Sequence, residues 1–143
     1  METNINFQLG PGAEEIGLAV MIKDLIAQNL EQNPHKVSDF VKLNIGVGLV
    51  VTDVDIEMTM TFSKGTLTVH PGISDQALIV IRTEADIVMA MSNVKIKFGL
   101  PYYFDETGKE IIQAMRNGGL KIKGMILHLL SLIRLSRVMS VHP

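Results

Sequence analysis

Two hydrophobic periods take turns along this chain. Over residues 13–32 the apolar positions Ile16, Leu18, Val20, Met21, Ile22, Leu25, Ile26 and Leu30 recur at helical spacing and cover more than one narrow stripe, which predicts a helix packed on two neighbours. Glu14 and Glu15 fall where the positive end of a helix dipole favours acids. Asn33 and Pro34 supply a cap and a first-turn proline for a short second helix to about Lys42, with Val37, Phe40 and Val41 at i, i+3 and i+4. From Asn44 the period drops to two. Ile45, Val47, Leu49 and Val51 share one face, then Ile56, Met58, Met60 and Phe62 repeat the alternation, and Leu67 and Val69 continue it. Turn residues at 53–55 and 63–65 join these runs into a three-strand meander.

After His70-Pro71-Gly72 a strand is expected at 77–81, where Ala77, Leu78, Ile79, Val80 and Ile81 are apolar on both faces and read as a strand buried on two sides. Thr83-Glu84-Ala85-Asp86 approximates a capping box and opens a helix through Ile87, Val88, Met89 and Met91. Residues 93–105 are the least regular, with Phe98, Tyr102, Tyr103 and Phe104 close together: a lid or portal, or a loop pinned to the core by its aromatics. Thr107-Gly108-Lys109-Glu110 is a second capping box, starting a helix that stops at Gly118. Leu120 to Lys123 alternate apolar and lysine between glycines, as in a strand with one buried face. A strongly apolar helix is expected from Met125 to Met139, with an apolar arc broader than one side of a small sheet covers. The surplus calls for a ligand, a partner or a membrane surface.

The predicted fold is α+β: a five-stranded, mostly antiparallel sheet covered on one face by helices. Residues 1–12, polar and glycine-rich, are expected to form a flexible arm, and residues 13–143 a single domain. Hydrophobic residues make up 47% of the chain and aromatics 5%, so aliphatics and nine methionines must build the interior. Methionine suits a deformable cavity as well as ordinary core filling.

A net charge of −2 provides no long-range attraction to nucleic acid or anionic lipid. The chain has no cysteine, which excludes disulfides and thiolate metal sites and fits a reducing cytoplasm, the expected location. The start lacks the features of a secretory signal, and the end matches no common retention or peroxisomal tripeptide. Only ten uncharged residues separate Lys123 from Arg134, too few to span a bilayer, so the last helix is expected at most to touch a membrane surface.

No enzyme signature emerges. Gly46 and Gly48 lie within a strand, which fails the structural test for dinucleotide binding and fits a bulge or a close backbone approach. His35, His70, His128 and His142 are scattered without metal-ligand spacing. Asp53 and Asp55 fit a hairpin turn better than an acid/base pair. Ser131 and Ser136 have neither an elbow nor a base. Lys121 and Lys123 share one strand face, either solvated or in contact with an anionic headgroup or coenzyme. The expectation is a non-enzymatic protein without cofactor or metal.

The strands around 47–53 and 56–62, the run Asp75-Gln76-Ala77-Leu78-Ile79-Val80-Ile81 leading into Thr83-Glu84-Ala85-Asp86-Ile87, and Gly118-Gly119-Leu120-Lys121-Ile122-Lys123-Gly124 before an apolar helix together resemble the sterol carrier protein 2 family. The last segment looks like that family's G-x-[LIV]-x-[LIV]-x-G element, and the resemblance covers roughly residues 40–140. It implies an apolar cavity between sheet and helices that accepts a sterol, fatty acid or fatty acyl-CoA, which the protein binds and transfers. The aromatic loop at 101–104 is longer than in many members, and would reshape or plug the cavity. The expected lining is Met58, Met60 and Phe62 on the sheet, Met89 and Met115 on helices, Phe98 in the loop, Ile122 on the last strand, and Leu129, Leu132 and Ile133 on the last helix. The competing reading is an interaction or oligomerisation module built on the C-terminal helix. Peripheral membrane contact and homodimer formation are both compatible with its apolar surplus.

Overall fold

The structure, a computed structural model, describes residues 5–143. Strand β1 (Asn6–Leu9) and a 3-10 turn (Ala13–Glu15) lead into helix α1 (Gly17–Gln32), and a second 3-10 turn (Pro34–Lys36) leads into α2 (Val37–Lys42). Then follow β2 (Ile45–Val51), β3 (Ile56–Ser63), β4 (Thr66–Pro71), β5 (Ile79–Thr83) and α3 (Ala85–Ser92). A small hairpin of β6 (Ile96–Lys97) and β7 (Leu100–Pro101) precedes α4 (Glu106–Asn117), β8 (Leu120–Lys123) and α5 (Leu129–Met139).

The fold is α+β, as predicted, with a sheet of six strands in the order β1-β4-β3-β2-β5-β8. The pairs β1/β4 and β2/β5 are parallel and the others antiparallel. The extra strand is the correction to the expected arm. Residues 6–9 alternate as the sheet requires, with Phe7 and Leu9 packed against the core, and they pair in register with residues 66–69. The remainder of that expectation falls partly on residues 1–4, outside the described residues.

Cross-strand register places Ile45, Val47, Leu49 and Val51 beside Phe62, Met60, Met58 and Ile56, and continues through Ile79 and Ile81 to Ile122, so one apolar face runs across the sheet. The other face carries Thr59, Thr61, Thr68, Arg82, Lys121 and Lys123. The fifth strand is therefore not buried on two sides: Arg82 is exposed and Val80 only half-buried. Gly46 and Gly48 mark a close approach, since a Cβ at Gly46 would lie 3.4 Å from Ala77 Cα and one at Gly48 3.2 Å from the Ile73 side chain. The connection into β5 thus crosses the outer face of β2.

Helix starts differ from expectation because acids outside the expected boxes take the first amides. Asp105, not Thr107, caps α4, its Oδ1 accepting the Gly108 amide at 2.8 Å. At α3 the Ala85 amide donates to Asp53 Oδ1 at 2.9 Å, while the Thr83 hydroxyl donates to the Gly119 carbonyl. The hairpin turn aspartate thereby ties the meander to the next helix.

A candidate lipid-binding cavity

The helical layer divides the apolar face of the sheet into two regions. Helix α1 packs over β1 and β4, and Phe40 of α2 meets Phe7 (centroids 5.3 Å apart) and Phe62 (6.0 Å, edge-on). That end is solid. At the other end α3, α4, α5 and the β6/β7 hairpin stand away from β5 and β8 and enclose a cavity of about 410 Å³. Leu49, Met60, Ile81, Leu120 and Ile122 form its floor, Val88, Met91, Ile111, Ile112 and Met115 one side, and Leu129, Leu132, Ile133, Leu135, Ser136 and Met139 the other. Val94, Leu100, Pro101, Tyr103 and Met125 complete it. Five of the nine methionines line this one space, the adaptable use of that side chain.

Of the expected lining, Met60, Met115, Ile122, Leu129, Leu132 and Ile133 surround the cavity. Four positions are corrected. Phe62 is consumed by the aromatic cluster under α2, and Met58 is fully buried in the core outside the cavity wall. Met89 is half-exposed on the outer side of α3, whose neighbours Val88 and Met91 turn inward. Phe98 sits in the left-handed region at the tip of the β6/β7 hairpin (φ 55°) and is wholly exposed. The stretch read as irregular is that hairpin, and its Leu100, Pro101 and Tyr103 were missed as lining. The i→i+2 spacing from Pro101 to Tyr103 was the available signal.

Polar contacts fix this wall. Arg137 of α5 donates from Nε to the Gly99 carbonyl at 2.6 Å and from Nη1 to Asp39 of α2 at 2.9 Å, clamping the hairpin tip between two helices. The far end of α5 is anchored by Asn29, whose side-chain amide donates to the Val138 and Met139 carbonyls, both at 3.0 Å. Lys36, 2% exposed, donates to the Ser140 carbonyl at 2.7 Å and to the His142 carbonyl. Burial lowers its pKa to about 8, with nearby Asp39 opposing the shift.

The cavity chemistry is sparse. Tyr103 and Ser136 alone among its lining residues carry a side-chain oxygen, and Ser136 Oγ donates to the Leu132 carbonyl at 2.9 Å within its own helix. Burial raises the Tyr103 pKa, so its hydroxyl is neutral at ordinary pH. Among the described residues no three His, Asp or Glu side chains gather as metal ligands, and no helix is long and apolar enough to cross a membrane.

The tip between β8 and α5 is a turn rather than helix, and it leaves Ile126 and Leu127 each 85% exposed, beside half-exposed Leu129 and Leu130. Because Met125 and Leu129 line the cavity, this apolar rim borders its mouth. The charge of −2 also hides a division. Residues 95–143 hold eight Lys or Arg against three Asp or Glu, and residues 1–94 hold five against twelve. The rim belongs to the basic part.

No protein-family model matches the sequence, and neither does any curated protein sequence. Solved structures do match in shape. A UbiJ-SCP2 ubiquinone synthesis protein superposes with a TM-score of 0.61 at 13% identity, over 89% of this chain and 98% of that one. A sterol carrier protein 2 crystal structure gives 0.51 at 12% identity, over 82% and 90%. A stereoselective inverting sec-alkylsulfatase from Pseudomonas sp. gives 0.50 at 14% identity over 68% of this chain, but only 13% of the much longer enzyme. The architecture assembled above, a sheet with one helix-covered face and a cavity between the layers, is the sterol carrier protein 2-like fold.

Proposed function

We propose that this protein binds a hydrophobic small molecule in the cavity, without catalysing a reaction on it, and passes it to and from an apolar surface at the rim. The observation that carries the reading is the cavity itself: about 410 Å³ of space walled by aliphatic side chains and methionines and open at its mouth, with a neutral phenol as its one free polar group. Such a lining holds a ligand by shape and apolar burial, at about 25 cal/mol per Å², and its two hydroxyls, Tyr103 and Ser136, have no carboxylate or imidazole among the lining residues to activate them. At roughly 30 Å³ for a methylene-sized group, the space suits a single acyl chain or a sterol. The shared fold with sterol carrier protein 2 supports the same class. Transfer is supported by the exposed Ile126 and Leu127 beside the mouth and by the basic charge around them, which suits an anionic membrane surface. A cytoplasmic place accords with a chain that has no cysteine.

Native mass spectrometry of freshly purified protein, followed by organic extraction, tests this. The expected result is a 1:1 complex releasing a lipid. One specific feature favours a second reading: Leu127 and Leu130, with Ile126, would equally pair with a second copy. A ligand-free mass shifting to dimer with concentration would replace the carrier reading with that interaction module.

A further inference from the structure

Past Tyr103 and Ile112 the cavity continues into a shallower surface groove that these two residues share with Phe104, Lys109, Gln113 and Arg116. The last three follow one another at i, i+4 and i+7 along α4, so an ammonium, an amide and a guanidinium line up on one helix face. Ile112 sits between them and the cavity interior. Neither cation belongs to an ion pair among the described residues. The acids of the same helix, Glu106 and Glu110, are not part of the groove lining. Phe104 of the groove packs its ring 5.7 Å from that of Tyr102, and Lys97 lies 4.0 Å over Tyr102.

The site therefore has a direction: an uncharged apolar interior, a phenol at the junction, then two unpaired cations and an amide. We infer that the groove is a headgroup subsite for the anionic end, carboxylate or phosphate, of a single-chain ligand whose hydrocarbon fills the cavity. This rests on the cavity reading above. A planar guanidinium presents a fork that matches either anion, and the amide supplies a further donor. A zwitterionic head would bring its own cation against Lys109 and Arg116, and a neutral end would leave both unused. The lysines of β8 do not serve this purpose. Leu120 and Ile122 face the cavity, so Lys121 and Lys123 project from the opposite face of the strand.

Competition binding with palmitate, hexadecyl phosphate and hexadecanol, on wild type and on a Lys109→Gln/Arg116→Gln double variant, tests the assignment. Exposed charge contacts are individually modest, so wild type should prefer the two anionic ligands over the alcohol on the order of tenfold. The double variant should bind all three as wild type binds the alcohol, with hexadecanol affinity and the thermal midpoint unchanged. Equal binding of acid and alcohol by wild type, or loss of all three ligands in the variant, overturns the headgroup subsite while hexadecanol binding to wild type keeps the cavity reading intact. Failure of all three ligands on wild type overturns both. Inorganic phosphate alone is the remaining arm: if it binds the groove as tightly as hexadecyl phosphate binds, the site is for a free anion and the inference fails.

Discussion

Replacing Leu132 with tryptophan separates a ligand cavity from an ordinary core. The side chain lines the cavity from α5 and is partly buried against the core, so an indole there enters the space between sheet and helices. With roughly 30 Å³ for each methylene-sized group, about 410 Å³ holds on the order of fourteen. At about 0.8 kcal/mol for each, the gross apolar gain of a filling chain is on the order of 11 kcal/mol, reduced by the cost of immobilising it. The indole adds about six heavy atoms over leucine and so removes roughly six positions, about 5 kcal/mol of burial. Affinity should fall on the order of a thousandfold. The fold should lose far less, because atoms added toward open volume force little rearrangement, within the ~1–3 kcal/mol of ordinary overpacking. Binding of cis-parinaric acid by fluorescence and the urea midpoint are the paired measurements. The natural chain has no tryptophan, so energy transfer from the new indole to parinaric acid also reports residual binding. A parallel collapse of stability and uptake would make Leu132 plain core, and unaltered uptake would place the ligand elsewhere.

Other consequences are as direct. Ile126→Ser with Leu127→Ser removes the most exposed apolar pair at the mouth; transfer of a fluorescent fatty acid to anionic vesicles should slow about tenfold, with equilibrium affinity unchanged and stability within ~0.5 kcal/mol, as for surface sites. Asp105→Ala deletes the cap of α4 and should cost about 1 kcal/mol in urea denaturation. Lys36 binds its proton less tightly folded (pKa about 8) than unfolded (10.5), so the unfolded chain carries the extra proton between those values. Its contribution makes stability rise with pH across that window and stay flat below it; Lys36→Met should abolish the rise in urea midpoints.

Much of this architecture was legible in the chain because period and burial coincide. The meander, the helix-stop glycine at Gly118 and the alternation in 120–123 each express a single constraint, an apolar face on one side of a sheet. What escaped were features set by distant partners. Asp53 reads as a turn residue until α3 arrives with an amide to satisfy. Met58 and Phe62 alternate in phase with Met60, yet only Met60 meets the cavity, because Phe40 of α2 covers Phe62 and Met58 is sealed within the core. No local pattern tells which part of a strand lies under a tightly packed helix and which under a loosely packed one. The charge division at residue 95 was, by contrast, open to simple counting and hidden only by the total.

The turn after β8 shows how one residue links fold to mouth. Gly124 has φ 82°, and a Cβ there would collide with the Leu78 carbonyl oxygen at the start of β5. The chain can therefore reverse tightly against the sheet only with glycine at this point. That reversal forces the apolar run after Lys123 to begin as a turn, with the His128 amide donating to the Gly124 carbonyl at 3.1 Å, and delays α5 to Leu129. A helix begun at Met125 would have carried Ile126 and Leu127 on a continuous α5. The turn instead pushes both into solvent while Met125 and Leu129 stay at the cavity. The same glycine that closes the sheet thus produces the exposed rim. A substitution such as Gly124→Ala should damage folding and ligand transfer together, whereas changes at Ile126 and Leu127 should affect transfer alone.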